Sequence, residues 1–538
     1  TYKQLFLRLF KFLLFVSFHF LPSFLPSFPR FLLYSSSTGT FQRYPIKWRV
    51  QVPGAKINIV LSATIPSQEF QTIIAFPAFW EGRCDVVGTR KGKKVSGLCF
   101  IERHGWEEVG DVKGFFKQVG LETRRAFEEV YPNVEDLTDD TLTKLVAYRE
   151  DPMMVNGVPK DIFHKTMIEP VRQIVDRGGK AWRSFGLLAC IDIVGGDSRR
   201  YVRWLSMAEF MHVGSLIIDD IQDKSETRRG GPCCHLLHGE ELAINAGTAC
   251  YFMFKRVLDC PWLSDKVLNE VTDLYFAALR AGHAGQALDI KGLDYLIDEA
   301  VESGEDSKKL ETRSLAIHRL KTGAPCEMLA RMGAIVGGGT DEQVEAIGEY
   351  FAAIGLAFQI MDDVLNLRGL FTDEADRVAN IAMKTIGEDI MTGKITMPVC
   401  KAMDGRLSKK ERKDLWNIIK AKPQDPVVVM KAIDILEECE ALDDCVKQAE
   451  KVRVVHLFPP SQCARHCACT TPSLPPPPPP PPPAARATRF RSAVHAYLLC
   501  SLKIVEDSWA QLDAVTPESF SKLMLRAFAG YVICAFLL

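Results

Sequence analysis

From about residue 110 to residue 455 apolar residues recur with the 3.6-residue period of helices and almost no strand signal, which predicts a helical bundle. Residues 45 to 106 follow another rule. Short alternating runs are split by turn residues, as in WEGRCDVVGTRKGKKVSGLCFIERHGW, and predict strands with a β-hairpin around Lys91, Gly92 and Lys93. Two stretches obey neither pattern. Residues 1 to 44 are a Phe/Leu/Ser/Pro tract, and residues 456 to 501 carry CARHCAC, an unbroken proline run from Pro475 to Pro483 and an Arg/Ala-rich stretch. A proline run cannot enter a helical core, so 456 to 501 reads as a disordered insertion. The helical pattern returns over 502 to 538. The expected architecture is an all-α helical bundle over 109–455 and 502–538, preceded by a small partial β module at 45–108.

Composition narrows the picture. A chain of 538 residues exceeds one ordinary domain. Its net charge of -1, from 66 basic and 67 acidic residues, removes any global electrostatic case for nucleic acid. Hydrophobic residues at 47% and charged residues at 25% fit a soluble globular protein. The 16 cysteines lack regular pairing and read as reduced thiols, which points to a cytoplasmic protein. Cys463, His466, Cys467 and Cys469 have a spacing that suits no usual zinc site. In the N-terminal tract the uncharged stretch between Lys11 and Arg30 is at the lower limit for a membrane span and holds Pro22, Pro26 and Pro29. No small-residue cleavage site precedes Ser35. The tract is expected to be a gene-model or fragment artefact, with an anchor or targeting segment as the alternative.

The chemistry lies between residues 178 and 394. In FMHVGSLIIDDIQD, Asp219 and Asp220 are followed by Asp223, and on a helix Asp219 and Asp223 share a face. Carboxylates so close repel unless a cation lies between them, and Mg²⁺ suits that role because substrate phosphates and water complete its shell. With 34 Asp in 538 residues, chance alone supplies about 0.13 such motifs, so one occurrence is weak. The spacing recurs as Asp362, Asp363 and Asn366 in GLAFQIMDDVLNL, with Phe358 and Gln359 one turn earlier. Basic residues sit at breaks beside Gly or Pro: Lys180 and Arg183 in GGKAWR, Arg228 and Arg229 in ETRRGGP, Lys321 with Thr322 in KTGAP. Pro325 cannot donate to the Lys321 carbonyl, so a helix kink is expected there. Lys384 and Lys394 follow the second motif, and His212 lies two turns before Asp219 on the same face.

In this order the motifs resemble the trans-isoprenyl diphosphate synthases, most closely the eukaryotic geranylgeranyl diphosphate synthases, over about residues 125–455 and 502–538. The resemblance implies a helical bundle around a central cavity, usually a homodimer. It also implies head-to-tail condensation of isopentenyl diphosphate with an allylic diphosphate, assisted by three Mg²⁺. Asp219, Asp220, Asp223 and Asp362 would hold the metal, with Asp363 and Asn366 as weaker, outer candidates. Arg228, Lys321 and Lys384 would grip the allylic diphosphate, and Thr322 and Gln359 would line the reacting carbon. Lys180, Arg183, His212, Arg229 and Lys394 would hold isopentenyl diphosphate. Small residues before Asp219, Ser215 and Gly214, would leave room for a long prenyl tail above Met211 as a soft stop, so twenty carbons is the expected product. Separately, residues 45 to 106 resemble the end of the lipocalin-like domain of carotenoid hydratases, too short to close a barrel, and carry no assigned chemistry.

Other readings stay open: a longer-chain polyprenyl or a farnesyl diphosphate synthase, a catalytically silent subunit, or an inactive gene product. A class I terpene cyclase shares the first motif but needs an Asn/Ser/Glu triad where this chain has paired Asp. Lys451 joined to Ile504 places Val446, Ala449, Val505, Trp509 and Leu512 on one helical stripe. Residues 452 to 503 are therefore expected to interrupt a single helix.

Overall fold

The computed structural model describes residues 30–36, 43–52, 56–65, 69–70, 79–104, 112–147, 149, 151–179, 181–304, 307–369, 385–449, 502–517, 519, 521–522 and 525. Lys180, Lys384, the CARHCAC segment and the proline run lie outside the described residues. Two units divide at residue 111.

The first unit is an antiparallel sheet of six strands: β1 (Arg30–Ser36), β2 (Arg43–Val52), β3 (Ile57–Ala63), β4 (Glu69–Phe70), β5 (Phe79–Arg90) and β6 (Lys93–His104). The strands run β1-β2-β3-β5, with β6 and the short β4 also paired to β5. The expected hairpin is present. Lys91 and Gly92 take φ of 51° and 78°, the two left-handed positions that a tight β5–β6 turn needs. The sheet starts earlier than the alternating pattern, because β1 takes Arg30–Ser36 from the end of the N-terminal tract. Its small core is Tyr44, Trp48 and Cys84.

The second unit is helical. The helices that frame its site are α1 (Val112–Glu128), α2 (Trp182–Ile193), α3 (Leu205–Gln222), α4 (Glu240–Ala249), α5 (Asp265–Lys291), α6 (Ser307–His318), α7 (Ala324–Val336) and α8 (Asp341–Arg368). Helix α8 starts with a capping box, Thr340 with Gln343, and runs 28 residues with most of its length buried. It is apolar and long enough to span a membrane by composition, yet it is the core helix of this bundle, packed along α7. Helix α3 is also apolar on nearly every side, so its few polar residues stand out as the ones with work to do.

Two prolines leave the same mark. Pro170 follows a π-helical turn at His164–Ile168, and Pro325 follows another at Arg319–Gly323. Because proline has no N–H to donate, the helix widens by one residue instead of breaking, and the Ala324 N–H bonds to the Arg319 carbonyl. This is the form taken by the kink expected at KTGAP.

The C-terminal helices α9 (Ala441–Ala449) and α10 (Leu502–Val515) both pack along α8. Arg368 pairs with Asp443 at 2.7 Å, Trp509 meets the Tyr350 ring edge-on at 5.6 Å, and Gln343 Nε2 donates to the Val515 carbonyl at 2.8 Å. Further on, Ser521 Oγ lies 3.2 Å from Asp192 Oδ2 at the end of α2.

Candidate active site

Helices α2, α3, α5 and α8 and the Arg319–Gly323 turn enclose a cavity of about 450 Å³. The two acidic motifs, apart from Asp220, and most of the basic residues singled out in the sequence line it. Gly285 on α5 sets one wall: a Cβ there would lie 2.5 Å from the Lys321 nitrogen, so only glycine lets α5 approach the π-turn this closely. The approach brings Asp289 of α5 to Lys321.

At one side of the cavity carboxylates and ammonium groups alternate. Lys321 Nζ lies 2.8 Å from Asp289 Oδ2 and 3.1 Å from Asp219 Oδ1. Lys394 Nζ lies 2.6 Å from Asp223 Oδ2 and 3.7 Å from Asp289 Oδ2. Gln286 Nε2 donates to Asp219 Oδ1 at 2.8 Å. Burial alone would favour the neutral form of Asp219, but Lys321, Lys394 and Arg228 override it and hold its carboxyl well below the usual range. Asp223 goes the other way: burial, then the Asp219 charge, push it up. Burial works against the charge on Lys321 and on Lys394 as well, yet Asp219 and Asp289 around the first, and Asp289, Asp389 and Asp223 around the second, raise both ammonium groups.

Asp220 requires a correction. Expected as a metal ligand, it is fully buried and turned away from its neighbours, accepting from Arg228 Nε at 2.8 Å and from the Arg228 terminal nitrogen. One helical position is a 100° rotation, so Asp220 cannot share the face of Asp219 and Asp223. Arg228 is held by this pair at the base of a small hairpin, Thr227–Arg228 against Gly231–Pro232, and still lines the cavity. Lys394 is a second correction: expected with isopentenyl diphosphate, it stands among the carboxylates instead.

In the second motif only Asp362 belongs with the open part of the cavity. Asp363 and Asn366 are nearly buried, at 5% and 8% exposure, although both touch the lining. Asp363 Oδ2 accepts the Met397 N–H at 3.0 Å and lies 3.4 Å from His318 Nε2. Burial pushes the Asp363 carboxyl up to about 7 and the His318 imidazole down to about 4. Thr322 Oγ1 donates to Gln359 Oε1 at 2.7 Å, placing the two expected partners together.

A second cationic group lines the same cavity. The Arg183 guanidinium sits 4.4 Å over the Trp182 ring and 5.3 Å from the Phe358 ring. Arg229, with a backbone φ of 51°, donates to Glu209 Oε1 at 2.8 Å and to the Ile174 carbonyl at 3.0 Å. Glu209 is buried on α3, three residues before His212. Sequence reasoning passed over Glu209, Gln286 and Asp289. A usable signal was there: Glu209 is a charged residue within the apolar helix α3, and Gln286 and Asp289 are polar residues three apart on α5.

The expected tail-length residues divide. Met211 and Ser215 line the cavity, whereas Gly214 faces α4: a Cβ on it would lie 2.7 Å from the Gly247 carbonyl and 2.8 Å from Cys250 Cβ. Gly214 is a helix-packing position, and its role as cavity floor is withdrawn. Tyr251 and His283, whose rings meet edge-on at 5.5 Å, line the cavity beyond them.

The sequence model for polyprenyl synthetases matches residues 164–436. The chain belongs to the polyprenyl synthetase family. It is a trans-prenyltransferase by descent, and its helical unit has the fold of solved members. The geranylgeranyl pyrophosphate synthetase of Pyrococcus horikoshii matches with a TM-score of 0.52 and 21% identity, covering 78% of this chain and 98% of that one. The geranylgeranyl pyrophosphate synthase of Corynebacterium glutamicum, solved with isoprenyl diphosphate and magnesium, matches at 0.52 and 20%, covering 79% and 99%. Identity this low speaks for the fold alone. In sequence, a short chain isoprenyl diphosphate synthase of Methanothermobacter thermautotrophicus is 32% identical over 53% of this chain and 80% of that protein. Geranylgeranyl pyrophosphate synthase 9, chloroplastic, of Arabidopsis thaliana is 32% identical over 45% of this chain and 64% of its own length. The chain thus spans somewhat under two thirds of that plant relative.

A divalent cation goes with this polyprenyl synthetase site, and the residues fit one. Asp219 and Asp223 present carboxylates on one face, and two ammonium groups already lie against them as the positive charge that the cluster demands. Among the described residues no group of three or more His, Cys, Asp or Glu side chains forms a metal site on its own.

Proposed function

We propose that the protein condenses isopentenyl diphosphate with allylic diphosphates head to tail, releasing pyrophosphate and giving geranylgeranyl diphosphate as the main product. One observation carries the reading: a single cavity is lined by a carboxylate–lysine cluster and also by a separate set made of the cationic Arg183 and Arg229 with His212. Two anionic substrates need two such places.

In this reading Asp219, Asp223 and Asp362 hold Mg²⁺, three ions being expected. The bound metal neutralises the charge that develops on the departing pyrophosphate. Lys321, Lys394 and Arg228 add fixed positive charge beside the same leaving group, at no cost of reorganisation when its C–O bond breaks. Phe358, Thr322 and Gln359 line the apolar stretch where the allylic carbon becomes electron-poor. Arg183, His212 and Arg229 orient isopentenyl diphosphate so that its double bond attacks that carbon. A C–C bond forms, and loss of a proton from the new chain restores the double bond.

The tail passes Ser215 and Met211 toward Tyr251 and His283, and the small Ser215 side chain supports a product beyond fifteen carbons. Exposed apolar side chains on α5 (Phe276, Leu288, Ile290) and on α4 and the turn after it (Ile244, Phe252) support a second copy of this chain as partner. Light scattering of purified protein tests that homodimer. Incubation with isopentenyl diphosphate, each allylic diphosphate in turn and Mg²⁺, followed by product-length analysis, tests the reaction. A twenty-carbon product is expected, and no elongation of any starter overturns the reading.

A further inference from the structure

The second acidic motif has three polar residues, and two of them spend their side chains on the backbone of the segment that carries Lys394. Asn366 grips this segment twice: its Oδ1 accepts the Asp389 N–H at 3.1 Å and its carbonyl accepts the Gly387 N–H at 2.7 Å. Asp363 Oδ2 accepts the Met397 N–H at 3.0 Å. The anchor points bracket Lys394, whose own N–H bonds the Asp389 carbonyl at 2.8 Å. Between them the chain turns at Gly387 and Gly393, both with positive φ, around the one-and-a-half-turn helix Glu388–Thr392. A segment of this shape has little regular structure to hold it. Its position depends on what it is tied to.

From this geometry we infer that Asp363 and Asn366 are positioning residues: they fix residues 387–397 on α8 so that the Lys394 ammonium stands at Asp223 and Asp289. The sequence leaves Asp363 and Asn366 as weaker, outer candidates for the cation, and the structure divides the labour between one cavity-facing carboxylate and two ties. Both ties are nearly buried, so each hydrogen bond replaces water that the backbone N–H would otherwise lose uncompensated. The residue type at 366 follows. A neutral amide oxygen serves a single backbone N–H as well as a carboxylate does, and adds no third negative charge beside Asp362 and Asp363.

The inference rests on the proposed reaction only for its kinetic arm. The direct arm is hydrogen–deuterium exchange of metal-free protein. Asn366→Ala is expected to speed amide exchange at 387–392 at least tenfold with the rest of the bundle unchanged. Asn366→Asp keeps an acceptor and is expected to restore protection. In turnover, Asn366→Ala is expected to raise the KM for the allylic diphosphate about tenfold with a smaller change in the KM for isopentenyl diphosphate, and Asn366→Asp to recover it. Should Asn366→Ala not fold, Asp363→Ala, which removes the acceptor of the Met397 N–H, is expected to speed exchange at that amide, and unchanged exchange there overturns the inference equally. Unchanged exchange in folded Asn366→Ala overturns the inference. So does exchange in folded Asn366→Asp as fast as in Asn366→Ala, because an acceptor at 366 would then not be what holds the segment. Exchange that behaves as expected in a protein that elongates no substrate sustains the inference and condemns the reaction instead.

Discussion

The two acidic motifs share their spacing and differ in almost everything else. On α3, Asp219 and Asp223 stand at the cavity against Lys321 and Lys394, and the middle residue, Asp220, is buried against Arg228. On α8, Asp362 takes the cavity side while its i+4 partner, Asn366, is turned into the protein and bonds backbone. The cause lies at the helix ends. Helix α3 stops at Gln222 with Asp223 as its cap, so Asp223 is released from the packed part of the bundle. Helix α8 runs on to Arg368, and its last turns remain covered by the 387–397 segment and by α9. Equal spacing therefore gives two cavity-facing carboxylates in one place and one in the other.

The largest expected effect separates the middle residues from their neighbours. Asp220→Ala leaves the Arg228 guanidinium buried without its carboxylate, which should cost about 3–5 kcal/mol of stability. Chemical denaturation measures it, and a loss under about 1 kcal/mol would show that the buried pair does not hold Arg228 in place. Next come Asp219→Ala and Asp362→Ala, each expected to lower turnover about a hundredfold or more, roughly 2.7 kcal/mol, with the fold intact. Full activity in either variant, or in a chelator, would sink the mechanism.

The bundle was legible because 3.6-residue periodicity survives in amphipathic helices such as α1 and α5 and the core helices are long apolar runs without strand signals, and the hairpin because Lys-Gly-Lys sits between alternating runs. The cavity side of α3 was legible for the same reason: Asp219, Asp223, Met211 and Ser215 follow from one helical face. Gly214 was misassigned because being small does not say which neighbour the residue is small for, and here it is Gly247 on α4. Asp289 and Glu209 were missed because their partners, Lys321 and Arg229, are brought to them by tertiary packing from 32 and 20 positions away. The roles of Asp363 and Asn366 depend on a non-regular segment, which has no period to read.

The acidic faces should also differ in pH response. Burial and the Asp219 charge raise the Asp223 carboxyl above its ordinary value, so a proton competes there with the cation. As pH falls from neutral toward the ordinary carboxyl value of 3.8 the protonated fraction grows earlier than in a free carboxylate, and the Mg²⁺ concentration for half-maximal rate should rise, by up to about tenfold per unit once the carboxyl is mostly protonated. Asp223→Asn should flatten that dependence. A half-saturating Mg²⁺ concentration that is constant across this range in the unaltered protein would refute it.

One turn below Asp219 on α3, Ser215→Phe should shorten the main product toward fifteen carbons and change turnover by only about threefold, because the ring fills the cavity without touching the carboxylates. The comparison here is with Gly214, next to it in sequence, where any side chain meets α4 and the loss should appear as stability, not product length. An unchanged product profile in active Ser215→Phe would move the stop to Tyr251 and His283.

The smallest effect is expected on the second-motif helix. Helix α8 holds Asp443 of α9 near its C-terminal end, through Arg368, and Trp509 and Val515 of α10 nearer its start, at Tyr350 and Gln343. The order is that of one helix running antiparallel to α8. With residues 452 to 503 removed, roughly four helical turns separate Asp443 from Trp509, against five between Arg368 and Tyr350, and the long Arg368 side chain spans the difference. The joined sequence keeps Val446, Trp509 and Leu512 on one stripe, and all three are buried against the bundle. We therefore propose that 452 to 503 interrupt one helix. Excising them should leave turnover within about twofold and thermal stability equal or higher, since closing a shorter loop costs less entropy. A clear drop in melting temperature together with lost activity would show that the segment contributes packing of its own, and that α9 and α10 are separate helices held apart for a reason.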